Sequence, residues 1–112
     1  MKLKVFLFSL IVLIVGTASS FAVEPCNGIE SGVVYYNEGE FERAIDEWRT
    51  CIDNGTENSD LYYNLGNAYF REGKIGFAIY YYKSALRLAP NNDDIIHNLK
   101  YAQAMTRDKV EE

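Results

Sequence analysis

The residues able to do chemistry in this 112-residue chain are few and widely spaced. They are two cysteines, Cys26 and Cys51, one histidine, His97, and acidic groups gathered at Glu38/Glu40/Glu42 and at Asp93/Asp94. The cysteines leave three behaviours open: a structural disulfide, an unpaired buried thiol at Cys51, or a redox-active switch. A bond between them would close a loop of about 26 residues and contribute roughly 3.5 kcal/mol in the chain-entropy account. One histidine and two distant cysteines offer no metal-ligand spacing, so no zinc or other metal site is expected. His97 reads as a groove-lining or surface polar group rather than a general base. The carboxylates fall at turns and helix starts, where they favour the helix dipole and stay hydrated, which is structural use and not a catalytic pair. Gly73-Lys74 is followed by Ile75, and no glycine stands five residues before Gly73, so a phosphate-cradling loop is absent. No nucleotide or other cofactor is implied, and the chain reads as a non-enzyme.

What positions these residues is a repeat. The chain agrees with itself at a spacing of 34 residues: Gly32 with Gly66, Tyr35 with Tyr69, Gly39 with Gly73, Ala44 with Ala78, Trp48 with Tyr82, and Cys51 with Ala85. Within each copy the apolar positions recur at three and four residues, and Gly39 or Gly73 sits between two such stretches as the hinge of a helix pair. The pattern predicts helices over 27–38, 41–53, 60–72, 75–88 and 93–107. Asn27 with Glu30 resembles a capping box, Ser59 can cap the third helix, Asn54-Gly55 closes the second, and Pro90 stops the fourth. Small residues at 32, 44, 66, 78 and 85 mark close helix approach, with Tyr35, Tyr69, Trp48 and Tyr82 filling the space between as core. Antiparallel pairing of the first two helices would bring Cys26 and Cys51 together. A fifth helix, apolar at Ile95, Ile96, Leu99 and Ala102, is expected to cap the open face of the second copy. The first copy has no such cover, which makes self-association or partner docking there a competing reading.

The second copy, Leu61-Tyr-Tyr-Asn-Leu-Gly-Asn-Ala-Tyr69 followed by Ala78, Tyr82, Ala85 and Pro90, resembles the tetratricopeptide (TPR) pattern nearly point for point. The resemblance implies an all-α fold in which two TPR helical hairpins, at 23–58 and 59–92, and a capping helix and tail at 93–112 form a right-handed superhelical array. In such proteins the first helix of each pair lines a concave groove that holds a peptide or a partner helix. By repeat position the groove residues are Ile29, Val33 and Tyr36, then Tyr63, Asn64, Asn67 and Phe70, then His97, Asn98 and Tyr101. That surface is aromatic, amide-rich and nearly uncharged, with Asn64 and Asn67 able to bond a ligand backbone and Tyr63, Phe70 and Tyr101 supplying rigid contact area. Chaperone-tail clamps of this family carry Lys and Arg where this chain has Ile29, Asp94 and Asn98, so a C-terminal carboxylate ligand is not expected.

Residues 1–22 read as an export signal: Lys2 and Lys4, an apolar run from Val5 to Val15, and a small-residue exit at Ser20-Phe21-Ala22. Eleven apolar residues fall short of the ~20 that a spanning helix needs. Loss of Lys2 and Lys4 from the 11 basic residues leaves 9 against 16 acidic ones, a net charge of −7. Nucleic acid and anionic lipid surfaces are poor partners for such a chain. Charges of both signs are interleaved along the helices, which reads as a solvated surface rather than a specific patch. The stretch Asn91 to Ala102, followed by Asp108-Lys109, resembles the bacterial aerotolerance-operon (BatE-like) TPR proteins. That resemblance implies an exported, periplasmic or membrane-associated scaffold, with a von Willebrand A-type membrane protein as a candidate partner and a loose tie to oxidative-stress tolerance. Many such relatives continue into transmembrane helices and an SH3-like domain, whereas this sequence stops at Glu112, so the membrane link is expected through a partner. The expected function is a non-catalytic adaptor, with self-assembly and thiol-based sensing as alternatives.

The packing reading makes Ala78 a position without room. Ala78→Leu is expected to overpack the second helix pair and cost on the order of 1–3 kcal/mol; an unchanged melting temperature would refute the packing.

Overall fold

Three of the four turns between the described helices are made at a glycine. The computed structural model describes residues 26–110, with side chains through Arg107, and among them are five helices: α1 (Gly28–Asn37), α2 (Phe41–Asp53), α3 (Ser59–Arg71), α4 (Ile75–Leu88) and α5 (Asp93–Val110). Each helix packs on the next in series. Gly39 and Gly73, 34 residues apart, hold φ of 79° and 75°, a left-handed conformation that costs glycine nothing. At both, the two amides after the helix reach back in a Schellman motif: Gly39 N to Tyr36 O and Glu40 N to Tyr35 O, then Gly73 N to Phe70 O and Lys74 N to Tyr69 O. Asn54-Gly55 closes α2 the same way, and α4 stops just before Pro90 as expected. The proposed export signal lies outside the described residues.

Two of the expected caps are corrected. Asn27 has helical backbone angles and makes no side-chain cap; its carbonyl instead accepts the Ser31 hydroxyl at 3.2 Å. A capping side chain needs an extended residue at the helix entry, and Asn27 is already wound. At α3 the extended residue is Asn58, one place earlier than expected, and its Oδ1 accepts the Leu61 amide at 3.1 Å. Ser59 is thereby drawn into the helix, and its hydroxyl donates to the Ala85 carbonyl at 3.1 Å, tying the start of α3 to the end of α4. The Asn58 cap recurs one repeat later, where Asn92 Oδ1 accepts from the Ile95 amide at 3.1 Å.

The core is built by setting a ring over a glycine. A Cβ at Gly32 would collide with the indole of Trp48, and one at Gly66 would lie 2.5 Å from the ring carbons of Tyr82. Trp48 is 1% exposed and donates its indole N–H to the Ile29 carbonyl at 3.0 Å; Tyr82 is 2% exposed and donates its hydroxyl to Asn67 Oδ1 at 2.6 Å. Each large ring therefore fills the gap between two helices and bonds its polar atom to the facing helix, and among the described residues no buried side-chain polar atom is orphaned. Burial holds the Tyr82 phenol well above its ordinary pKa, helped by the nearby Tyr63 and Tyr36 hydroxyls. Around these rings Ala44, Cys51, Leu61, Leu65, Ala68, Ala78 and Ala85 are at 1% exposure or less.

In α5 the 34-residue series changes: after Gly32 and Gly66 comes Lys100, which is exposed. Ile95, Leu99 and Ala102 are buried with the core cluster, so the helix covers the second hairpin. A lysine where the earlier helices carry a glycine closes the slot that a further ring would need, and its charge keeps that outer side in water. At the other end Cys26 and Cys51 are joined by a disulfide, with Cα atoms 5.7 Å apart. It pins the entry of α1 against α2, where Gly28 leaves room for Cys51 Sγ.

Two glycine substitutions test the ring-on-glycine packing in opposite directions. Gly66→Ala is expected to lower stability by about 1–3 kcal/mol, because displacing Tyr82 outweighs the ~1 kcal/mol gain in helix propensity. Gly76→Ala, where a Cβ meets nothing within 4 Å, is expected to raise it by about 0.4–1 kcal/mol. Urea denaturation of both variants checks the pair; losses of equal size would place the cause in the backbone instead. A further expectation follows from Tyr82. Its phenol stays neutral in the fold while the unfolded chain ionises near pH 10, so stability present below that pH falls as pH rises toward the folded value, with a limiting slope of about 1.4 kcal/mol per unit. Tyr82→Phe should cost about 1 kcal/mol at pH 8 and show a shallower decline at pH 11, as read by urea midpoints at the two pH values.

Candidate functional site

Side chains three and four residues apart on α1, α3 and α5 face one concave side of the array. Two adjoining hollows form there. One, of about 220 Å³, is lined by Val33, Tyr36, Asn37, Trp48, Asn64 and Asn67. The other, of about 300 Å³, is lined by Tyr36, Asn67, Phe70, Arg71, Tyr82, His97, Asn98 and Tyr101. Tyr36 and Asn67 line both, forming the wall between them.

Of the residues expected in the groove, Val33, Tyr36, Asn64, Asn67, Phe70, His97, Asn98 and Tyr101 come together in this way. Ile29 and Tyr63 do not line it. Ile29 packs against the core and gives its carbonyl to Trp48. Tyr63 lies tilted against Tyr82, ring centroids 6.0 Å apart, and its hydroxyl accepts from Asn98 Nδ2 at 2.9 Å. Asn98 donates a second time, to Asn67 Oδ1 at 3.1 Å, where the Tyr82 hydroxyl also arrives. Tyr63, Asn67, Tyr82 and Asn98 thus form one hydrogen-bonded floor spanning α3, α4 and α5. The amide oxygen of Asn67 is consumed by that floor, while Asn64 makes no side-chain hydrogen bond among the described residues. Phe70 and Tyr101 rest against each other at 5.7 Å, and Tyr101 is 58% exposed on the rim.

Residue spacing alone left out four of the lining residues, Asn37, Trp48, Arg71 and Tyr82. Arg71 changes its electrostatics: a surface read as nearly uncharged holds a guanidinium, set over the Phe41 ring at 4.7 Å from its centroid. The signal was present, since Arg71 follows Asn67 by four residues and so shares its face. Phe41 in turn meets Tyr36 edge-on at 5.1 Å, which links the start of α2 to the groove wall. Trp48 and Tyr82, expected as core, are core and also line the groove.

The described residues include no buried charged side chain and no cluster of three or more potential metal ligands. None of the described helices is long and apolar enough to cross a membrane. What the groove presents is ring faces, amide donors and one fixed cation, a set suited to holding a polypeptide segment.

Comparison with known families agrees with this geometry. Residues 59–92 match the tetratricopeptide repeat model, and residues 32–73 match a second TPR repeat model. No curated protein matches the chain. Proteins built from such repeats are generally non-catalytic and typically bind other proteins. Residues 32–92 of this chain are therefore tetratricopeptide repeats, carried in an all-α helical array of the kind that serves as a protein-interaction scaffold.

Proposed function

We propose that this protein is a non-catalytic adaptor that holds a segment of a partner protein in the groove formed by α1, α3 and α5. The observation that carries the reading is the division of labour among the amides: Asn67 and Asn98 are spent on the internal floor, while Asn64 stands in the groove wall with no protein partner among the described residues. A half-buried amide beside Val33 and Tyr36 is a specific donor and acceptor for a peptide backbone. Rings already held by their neighbours, such as Phe70 and Tyr101, add contact area at small cost in conformational entropy.

The cellular setting belongs to the same proposal. The signal-like N-terminus and the Cys26–Cys51 disulfide fit an exported protein in an oxidising compartment such as the periplasm. Resemblance to the aerotolerance-operon proteins makes a membrane-bound partner, of the von Willebrand A type, the first candidate. Cys51 is 0% exposed, which favours a stabilising role for the disulfide over thiol-based sensing. A second reading is self-assembly through the first helix, whose outer side no other described helix covers and where Val33 is 39% and Val34 55% exposed.

Photo-crosslinking in cells from positions 64 and 101, with an exposed position on α2 such as 42 as control, separates these. One dominant membrane-protein adduct from both groove positions is the expected result. Adducts only between copies of this chain would move the assignment to self-assembly, and identical adducts from all three positions would remove the groove from the argument.

A further inference from the structure

A second surface lies on α4, away from the groove. In a chain with a formal charge of −5, α4 carries Lys83 and Arg87, is preceded by Lys74, and contains no acidic residue. Its Phe77, Tyr80 and Tyr81 fall at i, i+3 and i+4, and Phe77 and Tyr80 are 56% and 63% exposed. These rings are stacked into a fixed surface. Tyr81 lies parallel to Tyr69 at 5.4 Å, Phe77 stacks on Tyr69 at 5.1 Å, and Tyr80 meets Tyr81 edge-on at 5.1 Å. Two hollows of about 660 and 460 Å³ adjoin along this face, sharing Tyr80 and Tyr81, and every ionisable side chain of full charge that lines them is basic: Lys74, Lys83 and Arg87. Arg87 does meet Glu57 at 2.8 Å, but both are more than half exposed, so the pair holds the arginine only weakly.

Tyr81 packs against the core, but the exposed Phe77 and Tyr80 do not fill it, because the buried side of α4 is already occupied by Ile75, Ala78, Tyr82 and Ala85. We propose that the Phe77, Tyr80 and Tyr81 face of α4 is a second docking surface, whose occupant is a segment of another protein that combines apolar side chains with Asp or Glu. The commitment rests on charge complementarity. The rings select apolar groups and the basic rim selects acidic neighbours, opposite in sign to the rest of this molecule. The surface is separate from the groove, so the adaptor could hold two segments at once.

The test uses the full chain and two fluorescent synthetic amphipathic peptides with identical Leu and Trp positions, one flanked by Glu and the other by Lys, followed by anisotropy. The Glu peptide is expected to bind at least about tenfold more tightly than the Lys peptide. Phe77→Ser with Tyr80→Ser should weaken it by about tenfold or more, and Lys74→Glu with Lys83→Glu should reverse the preference. Both double variants alter exposed side chains; their helical circular dichroism and their crosslinks from positions 64 and 101 should match the parent, which separates failure here from failure of the groove. Equal binding of the two peptides, no binding, or binding that survives loss of both rings would overturn the proposal. So would a patch that instead recruits phosphatidylcholine vesicles containing phosphatidylglycerol, or a ring-dependent self-association seen by analytical ultracentrifugation with no peptide bound.

Discussion

The contact on which the rest of this structure depends is a large ring laid over a glycine of the facing helix. Trp48 on Gly32 and Tyr82 on Gly66 set the separation of the two helices in each hairpin, because the ring thickness takes the place that a side chain would occupy. A glycine inside a helix sacrifices about 1 kcal/mol of propensity, and here the loss admits a ring that is almost completely buried and fully bonded. The same rings then line the concave face. Stability and the shape of the groove are therefore set by the same atoms, and a change that loosens one alters the other.

Polar groups are divided between holding the array and meeting a ligand. The Tyr63, Asn67, Tyr82 and Asn98 floor joins three helices through side chains of which sequence position alone assigns three to binding and Tyr82 to the core. Such a network is worth having only when its members are satisfied, since an unpaired amide in that position costs more than an apolar side chain. The groove's remaining chemistry is carried by Asn64, the rim ring Tyr101 and Arg71, whose guanidinium is braced on Phe41 rather than on a carboxylate. Holding a cation on a ring leaves its hydrogen-bond donors available, which an ion pair would not.

Charge is distributed unevenly over the helices. Acidic residues stand in the first turns of α1, α2, α3 and α5, where they suit the positive end of the helix dipole, and α4 has none. The interleaved charges read from the sequence as a solvated surface therefore resolve into an acidic body with one basic, aromatic helix. At the ends of the array the solutions differ. Lys100 closes the C-terminal end by putting charge where the repeat carries glycine, and the Cys26–Cys51 disulfide ties down the N-terminal entry, where no preceding helix is present among the described residues.

The helices, their order and the two hinges were legible in the sequence, because a 34-residue period, glycines at left-handed positions and three-and-four spacing are local signals that no distant contact has to supply. The small residues and the rings were legible for the same reason, recurring at one repeat length, but which ring lies over which glycine was not. Cap positions were less so: whether Asn58 or Ser59 stands outside α3 depends on a single extended residue, and the Ser59 hydroxyl was claimed by Ala85, 26 residues away. Which groove amides are free could not be read at all from one strand of text. Asn64 and Asn67 are equivalent by spacing, and only the arrival of Tyr82 and Asn98 from two other helices spends one and leaves the other. The basic aromatic face has the same origin, since Tyr69 of α3 must lie under Tyr81 and Phe77 of α4 before three separate rings become one surface. Local periodicity determined the elements; the registry between helices, which is a property of packed pairs and not of any one segment, decided what their surfaces can bind.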